Sequence, residues 1–237
     1  MTDQLPSAIG TAFDFLDEWR HYPAYQLERR VDIFFAVYLR GFLENRLGVA
    51  LKPTIIPEFP IRLPTEAIKN SKRVKSFMSS KVDFVLVTES KTTAYLVELK
   101  TDAASHDSEQ EKLYRKTAGE NFRDALQGVL EIARSENASK KYLSLLHKLM
   151  SVGLLAKTVG EKGKEKFDLH HSLPAEIVAH VVYIEPPAKK GRQLQEGFQS
   201  LSLSQFADYL HTLEARDTFA KMFAAKLDSW IKNPVRS

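Results

Sequence analysis

Two apolar runs divided by four polar residues constrain this chain more than any other feature. Lys81 to Thr88 and Thr93 to Thr101 are rich in Val, Leu, Phe and Tyr, and Glu89-Ser90-Lys91-Thr92 separates them. Runs of this kind around a polar break read as a β-hairpin. Side chains alternate faces along a strand. On the second run Leu96, Glu98, Lys100 and Asp102 therefore point one way, and Tyr95, Val97, Leu99 and Thr101 the other. A hairpin centred between Ser90 and Lys91 pairs residues whose numbers sum to 181, which sets Asp83 opposite Glu98. Directly opposed Cβ atoms lie about 4.5–5.5 Å apart, and like charges there are destabilising. A divalent cation is the simplest compensation, and the expected ion is Mg²⁺, with Mn²⁺ as the alternative, because hard cations prefer carboxylate oxygens. Lys100, on the same face, is placed to hold or polarise a water that attacks a phosphodiester. Glu-x-Lys alone carries little weight, since Glu89-Ser90-Lys91 repeats it in the turn.

The flanking segments frame the hairpin. Val31, Phe34, Phe35, Leu39, Phe42 and Leu43 recur at helical spacing, predicting a long helix from Ala24 to Leu47 with Gly48 as its stop. Thr54 to Leu63 reads as extended, and Pro57 and Pro60 within it argue for an edge or bulged strand. Ser108 with Glu111 predicts a capping box and a second long helix to about Glu136, and a further helix covers Lys140 to Leu155. Lys157 to Leu173 has no periodicity and reads as a mobile loop. Glu176 to Ile184 reads as a strand stopped by Pro186-Pro187. Phe206, Tyr209, Leu210 and Leu213 suggest one closing helix, and Phe219, Met222, Phe223, Leu227 and Trp230 a second whose stripe is core packing. The expected fold class is α/β, with a mixed central sheet flanked by helices and extra C-terminal helices.

Val82-Asp83, fourteen intervening residues, then Glu98-Leu99-Lys100 resembles the signature of the PD-(D/E)XK nuclease superfamily, with Val82 where the name-giving proline stands. The element order is similar to that superfamily's restriction-endonuclease-like core, αβββαβ. Gln110 and Tyr114 resemble the QxxxY motif of RecB-like and lambda-exonuclease-like members. The resemblance spans roughly residues 25 to 185. It implies a metal site at Asp83, Glu98 and Leu99, assistance to the water from Lys100, and Gln110 and Tyr114 facing the site or the nucleic-acid backbone. It further implies one domain over 1–237, with a core of about 25–187 and a helical extension at about 201–233.

Such nucleases often draw another acid from the first helix. Glu28 shares a stripe with Asp32, Phe35, Leu39 and Phe42, where an unpaired charge is costly, whereas Glu44 sits with Arg40 as on a solvated surface. Glu28 is favoured as the catalytic partner, with Asp32 beside it. The helix macrodipole accounts equally well for acids at that end. Glu58, between the two prolines, is a further candidate.

The expected function is a metal-dependent nuclease acting on DNA. The alternative is an inactive module of the same fold that binds nucleic acid or a protein. Net charge is +4, and basic residues cluster at Lys72, Arg73, Lys75 and Lys81, at Lys157, Lys162, Lys164 and Lys166, and at Lys189, Lys190 and Arg192. Basic loops suit phosphate contacts, and Lys72, Arg73 and Lys75 are the substrate-binding candidates. A homodimer or partner protein is compatible with this reading. The absence of cysteine excludes disulfides and thiolate metal sites. With no leader pattern and no apolar run near the roughly 18 residues of a membrane span, the expected location is cytoplasmic, with no membrane partner. Adjacent His170 and His171 should point apart, His180 reads as a hydrogen-bonded core residue, and the glycines near 160 match no phosphate-binding loop.

Overall fold

A computed structural model describes residues 4–20, 27–62, 79–101, 111–114, 117, 121–134, 139–159, 165–186 and 197–233. Three strands, β1 (Ile56–Arg62), β2 (Ser79–Val87) and β3 (Thr93–Leu99), form an antiparallel meander. Two later strands, β6 (Val178–Glu185) and β7 (Phe198–Ser202), lie parallel to β3, giving one mixed sheet in the order β1-β2-β3-β6-β7. The hairpin register is the one the sequence predicts: Phe84 pairs with Val97, Val85 with Leu96, Leu86 with Tyr95 and Val87 with Ala94.

The two faces predicted for β3 separate into two cores. Ala94 and Leu96 join Val85, Val87, Val181 and Tyr183 on what we term the lower face, together with α3 (Phe122–Arg134) and α4 (Ser139–Ser151). Tyr95, Val97 and Leu99 join Phe84, Leu86, Val182 and Ile184 on the upper face. That face is covered by α1 (Gln4–Trp19), α2 (Glu28–Leu47), α5 (Leu203–His211) and α6 (Thr218–Lys232). Phe13, Phe35, Phe42, Phe206 and Phe223 are buried there, and Phe35 and Phe42 each meet the Phe206 ring at 4.7 Å. Trp230 is buried in the same cluster. Among the described residues, no helix is long and apolar enough to cross a membrane.

Local chemistry fixes the ends of these elements. Gly48 has φ of +66° and its N–H reaches the Glu44 carbonyl, so α2 stops where a residue without Cβ permits a left-handed turn. Ser202 and Gln205 form a reciprocal capping box at the start of α5.

Several expectations are corrected. The helix predicted from Ser108 to Glu136 is not continuous. Residues 111–114 are helical, but Asn121 forms a β-bridge with Val178 before α3 begins. The Asn121 side chain accepts from the amides of Arg123 and Ile177 and donates to the Ala175 carbonyl, tying the start of α3 to the strand entry. Ala175 and Ile177 are more than fifty residues away, which no local pattern reveals. Ser108 lies outside the described residues. The predicted mobile loop instead contains an antiparallel pair, β4 (Leu155–Val159) and β5 (Glu165–Leu169). Only Phe167 and Leu155 of that pair are buried, too sparse a pattern for a strand signature. Helix α1 and strand β7 were not anticipated. β7 is short and polar, as an edge strand is expected to be.

Close approach of α2 and α5 generates a test. A Cβ built on Gly41 would collide with the Tyr209 hydroxyl. Helix propensity alone favours Ala over Gly by about 1 kcal/mol. Overpacking reverses that sign, so Gly41→Ala should lower stability by about 1–3 kcal/mol in denaturant unfolding, and adding Tyr209→Phe should recover part of the loss.

Candidate functional site

The β2–β3 ladder ends at Phe84–Val97, one step short of the pairing that would face Asp83 with Glu98. A side chain takes over there: Asp83 Oδ2 accepts the Leu99 N–H at 2.7 Å. The strands have parted, and the Asp83 carboxylate is held in the gap beside Glu98.

Glu98 is 2% exposed and Lys100 5%. Lys100 Nζ donates to Glu98 Oε1 at 2.7 Å, and Glu28 Oε1 lies 3.9 Å from the same ammonium. Thus Glu28, the acid favoured from the sequence and now at the start of α2, is the one brought here. The Tyr114 hydroxyl stands 2.7 Å from Glu98 Oε2 and 2.8 Å from the Lys81 carbonyl. One hydroxyl proton serves both acceptors. Four elements supply the cluster: β2, β3, the start of α2, and the helical residues around Tyr114.

Electrostatics follow from burial and crowding. Burial, then the neighbouring Glu98 charge, pushes the Asp83 carboxyl from its ordinary 3.8 to about 8, against the opposing pull of the Leu99 amide. Burial disfavours the Lys100 charge, but Glu98, Glu28 and Asp83 outweigh it and hold its pKa above the ordinary value. Burial and Glu98 together raise Tyr114 far enough to keep it a proton donor. Three acids thus gather at one lysine, and Asp83 relieves the crowding by keeping its proton up to about pH 8, a proton that a divalent cation would displace.

Two carboxylates, Asp83 and Glu98, are the side-chain oxygens available to such an ion. Asp83 Oδ1 has no hydrogen-bond donor among the described residues. Among those residues, no group of three or more His, Cys, Asp or Glu side chains gathers closely enough to hold a metal. Asp83 and Glu98 would therefore act with main-chain oxygen and water, a mix that suits Mg²⁺, which keeps several waters and takes one or two carboxylates. The Leu99 side chain is buried in the upper core, so only its main chain can contribute.

Other sequence candidates fall elsewhere. Glu44 accepts from Arg40 and from the Leu51 N–H, a structural tether below α2. Asp32 accepts the Ile33 N–H. Glu58 pairs with Lys81 at 2.6 Å on the exposed surface. Lys157 pairs with Glu165, and Lys166 lies 3.0 Å from Asp168, so these two lysines of the second basic cluster meet local acids. Gln110, Lys72, Arg73 and Lys75, together with Lys162, Lys164, Lys189, Lys190 and Arg192, lie outside the described residues. His170 and His171 do not point apart. Their rings stack at 4.4 Å, because they follow β5 into a turn where strand alternation no longer applies. His180 stacks on Tyr95 at 5.6 Å and is only partly buried, with no hydrogen bond from its ring among the described residues. Neither Glu28 near Lys100 nor the Leu99 N–H bond to Asp83 is a spacing pattern. The first was suggested by a charge on an apolar stripe, and the second had no sequence signal.

Asp83 has a signed consequence for stability. Its folded pKa of about 8 exceeds the ordinary 3.8, so the folded state binds the extra proton between those values. The stability this group contributes is complete below about pH 4 and is lost as pH rises through about 8. Asp83→Asn is neutral throughout and keeps an acceptor for Leu99. Without metal, its unfolding free energy from denaturant titration should exceed that of the wild type at pH 9 by on the order of 1 kcal/mol or more, and the gap should shrink by pH 5. A wild type more stable than the variant at pH 9 would contradict the placement of Asp83.

Compared with models of known protein families, with curated proteins and with solved structures, this chain finds no match.

Proposed function

We propose that this chain is a divalent-metal-dependent nuclease of the PD-(D/E)XK type, hydrolysing phosphodiester bonds in DNA, on a restriction-endonuclease-like version of the mixed sheet. The observation that carries this reading is the convergence of Asp83, Glu98, Lys100 and Glu28. Lys100 lies 2.7 Å from Glu98 and 3.9 Å from Glu28, and Asp83 is clamped to the next residue of the same strand.

Asp83 and Glu98, with the Leu99 main chain, would hold Mg²⁺ or Mn²⁺. When bound, such an ion lowers the pKa of a coordinated water and offsets charge on phosphoryl oxygens. The protein's own groups do the positioning. Lys100 carries its charge at every working pH and presents remaining N–H donors to a water or a non-bridging phosphate oxygen. Glu28 shares the Lys100 ammonium and draws it toward the helical side of the site. Tyr114 fixes one oxygen of Glu98 while Lys100 fixes the other, so the carboxylate has a single orientation. Preorganised donors and acceptors of this kind supply much of the rate in reactions that develop charge.

A second reading, an inactive module of the same fold, draws on one observation: both Glu98 oxygens already have partners within the protein. Catalysis separates the two. Purified protein should degrade linear or circular DNA only with Mg²⁺ or Mn²⁺, and Glu98→Gln and Lys100→Met should each lower the rate by at least about 10²-fold. Folding of the lysine variant must be verified by circular dichroism, because an unpaired buried Glu98 costs about 3–5 kcal/mol. Metal-independent inertness of the wild type on both DNA forms, with and without either ion, would remove the nuclease proposal and leave the binding module.

A further inference from the structure

The pairing of β1 with β2 breaks step at one level, and that level is Asp83. On β1, Ile56, Phe59 and Ile61 all belong to the lower core, as do Val82, Val85 and Val87 on β2. Regular alternation would space same-face residues by two. Ile56 to Phe59 and Val82 to Val85 are spaced by three, so both strands change phase together. Pairing runs Ile56–Val85 and Pro57–Phe84 above the break, and Phe59–Val82 and Pro60–Lys81 below it. Glu58 and Asp83 are the residues left between.

Glu58 has φ of +51°. A left-handed backbone is natural for glycine, tolerated by short polar residues and disfavoured by everything else, most of all by β-branched side chains. The Glu58 carboxylate does not explain its presence, because it is exposed and, among the described residues, meets only the exposed Lys81. Pro57 and Pro60 flank the break and have no N–H to leave unpaired. At the same level β2 leaves β3, and the Asp83 carboxylate reaches the Leu99 N–H at 2.7 Å.

We propose that Glu58 is a positioning residue acting through its backbone: its left-handed turn shifts the phase of the β1–β2 pair and thereby delivers the Asp83 carboxylate to the Leu99 amide at the acid cluster. This rests on the nuclease reading only for what the cluster is used for. A residue that forces φ negative at position 58 would disrupt the β1–β2 pairing at this level, and the Asp83 carboxylate would leave the Leu99 amide.

Amide hydrogen exchange by NMR on the full, metal-free chain tests this. The Leu99 amide reports the contact with Asp83, and the Thr88 amide, bonded to the Thr93 carbonyl at the far end of the same hairpin, is the internal control. Glu58→Gly and Glu58→Gln should leave Leu99 exchange within about twofold of the wild type, whereas Glu58→Val should speed it about tenfold with Thr88 unchanged. Glu58→Ala, milder in backbone preference, should fall between and carries the test if the valine variant does not fold. Unchanged Leu99 protection in the alanine and valine variants would overturn the proposal. So would equal loss at Leu99 and Thr88, or a glutamine variant as damaging as the valine one. Absence of DNA cleavage by the wild type would sink the nuclease reading and leave this readout intact.

Discussion

The Glu98 carboxylate is almost wholly withdrawn from water, and each of its oxygens is held. Lys100 binds one and the Tyr114 hydroxyl the other, each at 2.7 Å. A buried carboxylate without such partners would be protonated or would unfold the strand that bears it. The end of β3, the entry of the Tyr114 helix and the start of α2 are all arranged around that requirement. The central sheet supplies the rigidity, because β3 is paired on both sides and its two faces are sealed by separate cores.

Lys100 alone does not balance the site. Asp83 is added from the neighbouring strand, and its elevated pKa expresses the cost of its burial first and of the nearby Glu98 charge second. The protein meets part of the cost with a main-chain donor, the Leu99 N–H. Using a side chain where a ladder carbonyl would ordinarily sit removes one sheet pairing and gains an oriented acid. Strained backbone at Glu58, opposite the same residue, belongs to the same arrangement.

Much of this was legible in the sequence because a hairpin is governed by local rules. The polar break at Glu89 to Thr92 fixed the register, and strand periodicity then sorted Leu96 from Val97 and placed Glu98 with Lys100. Glu28 could be singled out over Glu44 because a charge on an apolar stripe needs a partner. What escaped depends on contacts distant in sequence or on weak patterns. Asn121 breaks a helix by binding residues 175 and 177. β4 and β5 bury too few residues to alternate visibly, and β7 is a polar edge strand added by pairing with β6. The phase change at Glu58 was hinted at by its two prolines, but its direction required the partner strand.

In the proposed site, Asp83 and Glu98 together would hold a divalent cation with Lys100 alongside. Anomalous diffraction from crystals soaked in Mn²⁺ tests it most directly. The expected result is a single strong peak within about 2.0–2.3 Å of an oxygen from each carboxylate. A fully ordered cluster with no anomalous peak at saturating Mn²⁺, and with Glu98 still bonded only to Lys100 and Tyr114, would contradict it.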